Sequence, residues 1–254
     1  MKFLRYSYKD KISYGILNEK DATLITPIEG SPFTNYKKNI KEIKIKDVKV
    51  LTPCDFSKAV CIGLNYRDHA AECNLEIPKS PVVFIKPSTS ALAFGEEIIK
   101  PEMCKRIDYE AELAIVIKKK TKNIEIENIR DFILGYTCAN DVTARDLQPS
   151  DGQWTLAKGF DTFCPFGPFI ETEVDPNNLK IKSILDGKVM QESNTSNLIF
   201  NTDYIVSYIS KIMSLNPGDI ILTGTPSGIS GMSDGATIEV VIENIGTLKN
   251  SVVY

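Results

Sequence analysis

Apolar residues along this chain fall mostly into short continuous or alternating runs of β type, and only once into helical spacing. Ala59–Leu64, Val82–Ile85, Tyr109–Ile117, Phe132–Thr137, Phe166–Glu171 and Ile220–Thr223 each read as a strand with one or both faces buried. Turn residues separate such runs. Asn18-Glu19-Lys20-Asp21 parts Lys11–Leu17 from Thr23–Thr26, and Asp186-Gly187 suits a type I′ turn between Ile181–Leu185 and Lys188–Gln191. Asn244 and Gly246 join Ala236–Glu243 to Thr247–Tyr254 as a terminal hairpin. Asp203–Met213 keeps helical spacing through Ile205, Tyr208, Ile209 and Ile212, with Asn201 or Thr202 placed to cap it and Pro217-Gly218 just past its end. Lys-rich Lys37–Lys49 reads as a solvated connection, and no repeat is visible. The pattern predicts a mixed, β-dominated α/β chain, more sandwich or rolled sheet than doubly wound. A small N-terminal β-rich domain is expected over residues 1–52 and a larger one over 53–254.

One of these runs is interrupted by charge. Glu110 and Glu112 stand two apart at the head of Leu113–Ile117, so in a strand they share a face. An exposed strand carries such a pair without consequence; a buried one must neutralise it, because unpaired buried carboxylates cost several kcal/mol. A bound cation is the simplest neutraliser. A second apolar run, Phe132–Ala139, ends on Asn140-Asp141, which would bring a third carboxylate from a neighbouring strand.

Composition narrows the choice of cation. The chain of 254 residues contains one histidine, His69, which excludes multi-histidine zinc or iron sites within it. Oxygen ligands select Mg²⁺, Mn²⁺ or Ca²⁺. Six cysteines lie scattered without a Cys-x-x-Cys pair, the usage of reduced thiols in a cytoplasmic protein. The net charge of −3 argues against nucleic acid as the main partner, and no apolar run reaches the roughly 20 residues of a membrane span. The N-terminus lacks the apolar core of a signal peptide.

Three further segments carry candidate chemistry. His69 and Glu72 are three apart in Arg67-Asp68-His69-Ala70-Ala71-Glu72, so one helical turn puts them side by side. The pair is either a surface histidine with an acidic neighbour or a general base oriented by a carboxylate. Lys158, set between apolar residues and Gly159, either snorkels to water or neutralises a substrate oxyanion. Arg145 and Gln148, just after Asp141, suit solvated loop positions as well as ligand contacts. Gly224-Thr225-Pro226-Ser227-Gly228 lacks the Gly-Lys-Ser/Thr ending of a phosphate loop.

Taken in order, Gly63-Leu64-Asn65-Tyr66 with His69 and Glu72, Asp108-Tyr109-Glu110-Ala111-Glu112-Leu113-Ala114, Gly135-Tyr136 with Asn140 to Asp146, Trp154 to Pro165, and Gly218 to Gly228 resemble the fumarylacetoacetate hydrolase family. The resemblance covers about residues 53 to 254. It implies mixed strands rolled around the site, usually in a homodimer, with Mg²⁺ or Mn²⁺ on Glu110, Glu112 and Asp141. It also implies a His69–Glu72 dyad on a short lid helix, with Lys158, Gln148 and Thr225 near the substrate and Arg145 matching an arginine of unassigned role. The expected activity is that of a metal-dependent enzyme on a small 2-oxo or 1,3-dicarbonyl acid, with hydrolysis of a C–C bond in an acylpyruvate, through a metal-stabilised enolate, placed first. Oxaloacetate decarboxylation or tautomerisation and isomerisation of 2-hydroxyhepta-2,4-diene-1,7-dioate are its alternatives. A non-catalytic, metal-dependent metabolite-binding protein on the same scaffold would have lost the base, and here both members of the dyad are present.

Overall fold

The structure is a computed structural model that describes residues 1–72, 74, 76–149 and 153–254. Its largest element is a mixed sheet of 13 strands, open at both ends. The main path runs Tyr36–Lys38, Leu24–Gly30, Lys11–Leu17, Lys2–Tyr8, Cys164–Glu171, Ile133–Asn140, Ala111–Ile117, Ile220–Leu222, Lys58–Gly63 and Val82–Pro87. Neighbours on this path are antiparallel except Ile220–Leu222 and Lys58–Gly63, which run parallel with Leu222 opposite Cys61. The first residues do not stand apart: Phe3 pairs with Ile170, so the N-terminal strands extend the same sheet.

A second sheet of five strands, Glu97–Ile99, Gly246–Val253, Thr237–Ile242, Lys180–Leu185 and Lys188–Asn194, covers one face of the first. The layers are joined by one apolar core. Leu113, Ile115, Ile117, Tyr136 and Ile221 meet Ile181, Val240, Ile242 and Leu248, with Ile205, Val206 and Ile209 packed alongside. Alternate residues of the same strands, Ala114, Val116, Ala139 and Leu222, pack on the opposite face with Cys61, Phe84 and Phe166. Ala111–Ile117 is therefore buried on both faces, which is why it reads as an unbroken apolar run.

Local signals set the edges of these elements. Asp186 and Gly187 both take positive φ (49° and 80°) as a type I′ turn requires. Helix α3, Thr202–Ile212, is capped by the Asn201 side chain, which accepts from Tyr204 N. Two shorter helices, α1 (Arg67–Glu72) and α2 (Thr155–Lys158), border the site. Among the described residues no helix is long and apolar enough to cross a membrane. The five described cysteines are free thiols; Cys73 lies outside the described residues.

Candidate active site

Parity along the two central strands gathers the acids. Glu112 shares a face with Ala114 and Val116, and Asp141 shares it with Ala139. Ala111 lies opposite Asn140, so both acids reach the same end of the sheet. Glu110 sits just before the strand; its backbone N–H donates to Asn140 Oδ1 (2.9 Å), and its carbonyl accepts from Asp141 N (2.9 Å). One carboxylate oxygen from each of Glu110, Glu112 and Asp141 lies within 4.8 Å of the other two, and all three residues are buried.

Cations answer two of these acids. Lys158 Nζ donates to Glu110 Oε2 (2.8 Å) and Asp141 Oδ2 (2.7 Å), while Arg145 Nη2 donates to Glu110 Oε1 (2.6 Å). Lys86 donates to Asp141 Oδ1 and to the Val142 carbonyl. Burial works against ionisation of Glu110, but Lys158 and Arg145 outweigh it and hold the carboxyl down to about 2. The same carboxylates overcome the burial of Lys158 and Arg145 and raise both above their ordinary values. Glu112 is different. Its contact is the Gly224 N–H, at 2.6 Å, and no cation pairs with it among the described residues. Burial, then the negative charges of Asp141 and Glu110, push its carboxyl well above the carboxylate range. A buried, all-oxygen cluster with one acid left uncompensated fits a divalent cation.

The remaining predicted residues surround a cavity of about 230 Å³ lined by His69, the three acids, Arg145, Gln148, Lys158 and Thr225, with walls from Phe84 and Trp154. The two rings meet edge to face at 5.2 Å. Lys158 is 3% exposed, so it does not snorkel. α1 places His69 Nδ1 3.1 Å from Glu72 Oε2, and Glu72 accepts the Gly228 N–H (3.1 Å). Asp68 and Arg67 fasten the helix, to Ser193 Oγ (2.6 Å) and the Leu198 carbonyl (2.7 Å) respectively. Gly224 and Gly228, at φ 99° and 95°, allow the segment between them to run from Glu112 to Glu72; a Cβ on Gly228 would lie 2.3 Å from the Met190 carbonyl. Arg145 bridges Glu110 and Asp108, and its third contact is Gln148 Oε1. Its guanidinium therefore steadies the cluster more than it faces the cavity.

Sequence reasoning missed Asp108, Lys86 and Gln191. Asp108 is buried beneath Arg106 and Arg145. Lys86, 0% exposed, alternates with Phe84 on the strand Val82–Pro87, and a lysine in phase with a buried aromatic was a usable signal. Gln191 belongs to the second sheet, and nothing local marks it.

Comparison with known proteins agrees with this geometry. Residues 58–253 match the family described as fumarylacetoacetate (FAA) hydrolase C-terminal, and residues 1–53 match Rv2993c-like, N-terminal. The fold superposes on 2-hydroxyhepta-2,4-diene-1,7-dioate isomerase from Mycobacterium marinum with a TM-score of 0.91 at 41% identity, covering 100% of this chain and 98% of that one. A fumarylacetoacetate hydrolase from Exiguobacterium antarcticum gives a TM-score of 0.89 at 29% identity over 100% and 99% of the two chains. The mitochondrial oxaloacetate tautomerase Fahd2a of Rattus norvegicus is 42% identical over 207 residues, 77% of this chain and 66% of the relative. The chain belongs to the fumarylacetoacetate hydrolase family of enzymes.

Proposed function

We propose that the protein moves a proton at the carbon beside the carbonyl of a small 2-oxo dicarboxylic acid, as a tautomerase of the oxaloacetate kind or an isomerase of the diene-dioate kind. One observation carries the reading: His69, braced by Glu72, is the side chain in the cavity placed to take up and return a proton. Glu110 is too weak a base at about 2, and Lys158 and Arg145 stay charged. The relatives at 41% and 42% identity carry the names isomerase and tautomerase, which favours proton transfer over the C–C hydrolysis that the sequence puts first.

Charge favours a dianion. With Glu112 ionised by a bound cation, Glu110, Glu112, Asp141 and Asp108 would equal Lys86, Lys158, Arg145 and Arg106 in number, although none of these cations pairs with Glu112. A divalent cation held by Glu110, Glu112 and Asp141 would supply Lewis-acid stabilisation to an enolate oxygen and leave two positive charges to be balanced. Lys158, which lines the same cavity, would offset charge on that oxygen. Phe84 and Trp154 keep water from the reacting carbon, and α1 brings His69 over it. A cavity of about 230 Å³ is at the small end for ligand sites, which suits an acid of this size.

The test is the enol-to-keto conversion of oxaloacetate, followed by loss of enol absorbance and by deuterium exchange at C3, with and without Mg²⁺ or Mn²⁺. Metal-dependent acceleration is expected, and His69→Ala should lower it by about 10²–10⁴-fold while metal binding persists. Cleavage of acylpyruvates with no effect on oxaloacetate would replace this reading with hydrolysis, for which the complete dyad also suffices. No effect on either, or on a diene-dioate, would remove the enzyme reading for these acids. The expected homodimer accompanies this proposal: the main sheet ends at Val82–Pro87, whose Val82 and Ile85 are exposed, and light scattering should return twice the chain mass.

A further inference from the structure

The second sheet reaches through the core to the site at one residue. Gln191, on the strand Lys188–Asn194, is 1% exposed, and its side chain lies between the metal-side strand and the Gly224–Gly228 segment. Its Oε1 accepts from Ala111 N (3.1 Å); its Nε2 donates to the Pro226 carbonyl (2.7 Å) and to Thr225 Oγ1 (2.8 Å). These partners settle which end of the amide is which. Ala111 N–H can only donate and the Pro226 carbonyl can only accept, so the opposite orientation would set donor against donor and acceptor against acceptor.

The polarity passes on to Thr225. With a lone pair of Oγ1 taken by Gln191, the hydroxyl must spend its proton elsewhere. Among the described residues no acceptor lies within reach of that proton, and Thr225 lines the cavity. We propose that Gln191 is a positioning residue that fixes Thr225 as a hydrogen-bond donor to an anionic oxygen of the substrate, favouring a carboxylate or enolate there over a neutral acceptor. The inference rests on the function proposed above. It adds the hydrogen-bond sense of one contact and the residue, outside the site's own strands, that sets it. A hydroxyl free to rotate could turn its proton away from the ligand; one that already accepts from Gln191 keeps it for an acceptor in the cavity, and a charged oxygen takes it more strongly than a neutral one.

The experiment compares Thr225→Val, Thr225→Ser, Gln191→Met and the double variant Q191M/T225V, with steady-state kinetics on oxaloacetate in Mg²⁺ and thermal midpoints measured alongside. Loss of a hydrogen bond to a charged oxygen should raise KM by about 10-fold or more in Thr225→Val, with kcat changed much less, and Thr225→Ser should restore it. Gln191→Met should raise KM by a smaller factor, and the double variant should match Thr225→Val alone, since Gln191 then has no hydroxyl left to orient. A merely structural role would lower the thermal midpoint and add to the Thr225→Val effect, which would overturn the proposal. So would an unchanged KM in a folded Gln191→Met. Should the wild-type protein turn over none of the acids, the dissociation constant of oxalate in Mg²⁺ replaces KM. Failure of the reaction reading is then seen separately from failure of this one.

Discussion

Glu112 carries the residue-scale chemistry that is easiest to measure. Its folded carboxyl lies well above the ordinary range because of burial and then Asp141 and Glu110, whereas in the unfolded chain it returns to about 4.3. The folded metal-free protein thus holds a proton that the unfolded chain releases. Its contribution to stability is complete below the unfolded value and is lost as pH rises through the raised one. In the presence of a chelator the thermal midpoint should therefore carry a component that falls with rising pH. Glu112→Gln, neutral at every pH, should remove that component. Mg²⁺ binding should release protons, visible in calorimetry as a heat that changes with the ionisation enthalpy of the buffer. Proton release near zero at neutral pH would show that Glu112 is already ionised without metal.

At the scale of elements, the parallel pair Ile220–Leu222 and Lys58–Gly63 depends on Asp219, which is 0% exposed. Its carboxylate accepts from Ser57 N (2.9 Å), Ser57 Oγ (2.7 Å), Asn216 N (2.8 Å) and Lys58 Nζ (2.6 Å). Burial opposes its ionisation, but these donors win and lower its pKa. The resulting stability is present above the unfolded value of about 3.9 and is lost as pH falls through the lowered one. Asp219→Ala should cost about 2–4 kcal/mol at neutral pH, read from urea unfolding, with little change in Mg²⁺ affinity. A cost below about 1 kcal/mol would mean that water replaces the carboxylate.

Elements were also where the sequence was most readable. A positive-φ pair at Asp186-Gly187, an Asn cap on α3, and two acids in phase on an apolar strand are local facts, and local chemistry fixes them. Lys86 and Gln191 were not readable in that way. Lys86 meets Asp141 across 55 positions and Gln191 meets Ala111 across 80, so their roles exist only once distant strands have paired. Composition did favour a cation at the three acids, but it could not show that Glu112, alone of the three, forms no ion pair among the described residues.

The whole molecule is joined more closely than its two family matches suggest. Phe3, Ile16 and Ile28 from the first strands share a core with Leu134, Phe166 and Ile170. Deleting residues 1–38 would bare that apolar surface and open the edge of Cys164–Glu171. The shortened chain should aggregate or bind an apolar dye strongly on expression; a soluble, dye-silent and cooperatively melting product would show that the larger part folds alone. The sequence places a division at residue 52, yet the sheet runs across it, because the pairing of Phe3 with Ile170 spans most of the chain.

The parallel pair has one more consequence. Strands that run parallel deliver their following segments to the same rim: Lys58–Gly63 leads into α1, and Ile220–Leu222 leads into Gly224–Gly228. The three carboxylates that could hold a cation come instead from the antiparallel meeting of Ala111–Ile117 and Ile133–Asn140. The three acids and the His69–Glu72 pair are thus encoded in different stretches of chain. A change of length between Gly63 and α1 would therefore shift His69 relative to Glu110, Glu112 and Asp141 while those three acids keep their places, so a protein engineer could vary the one without rebuilding the other.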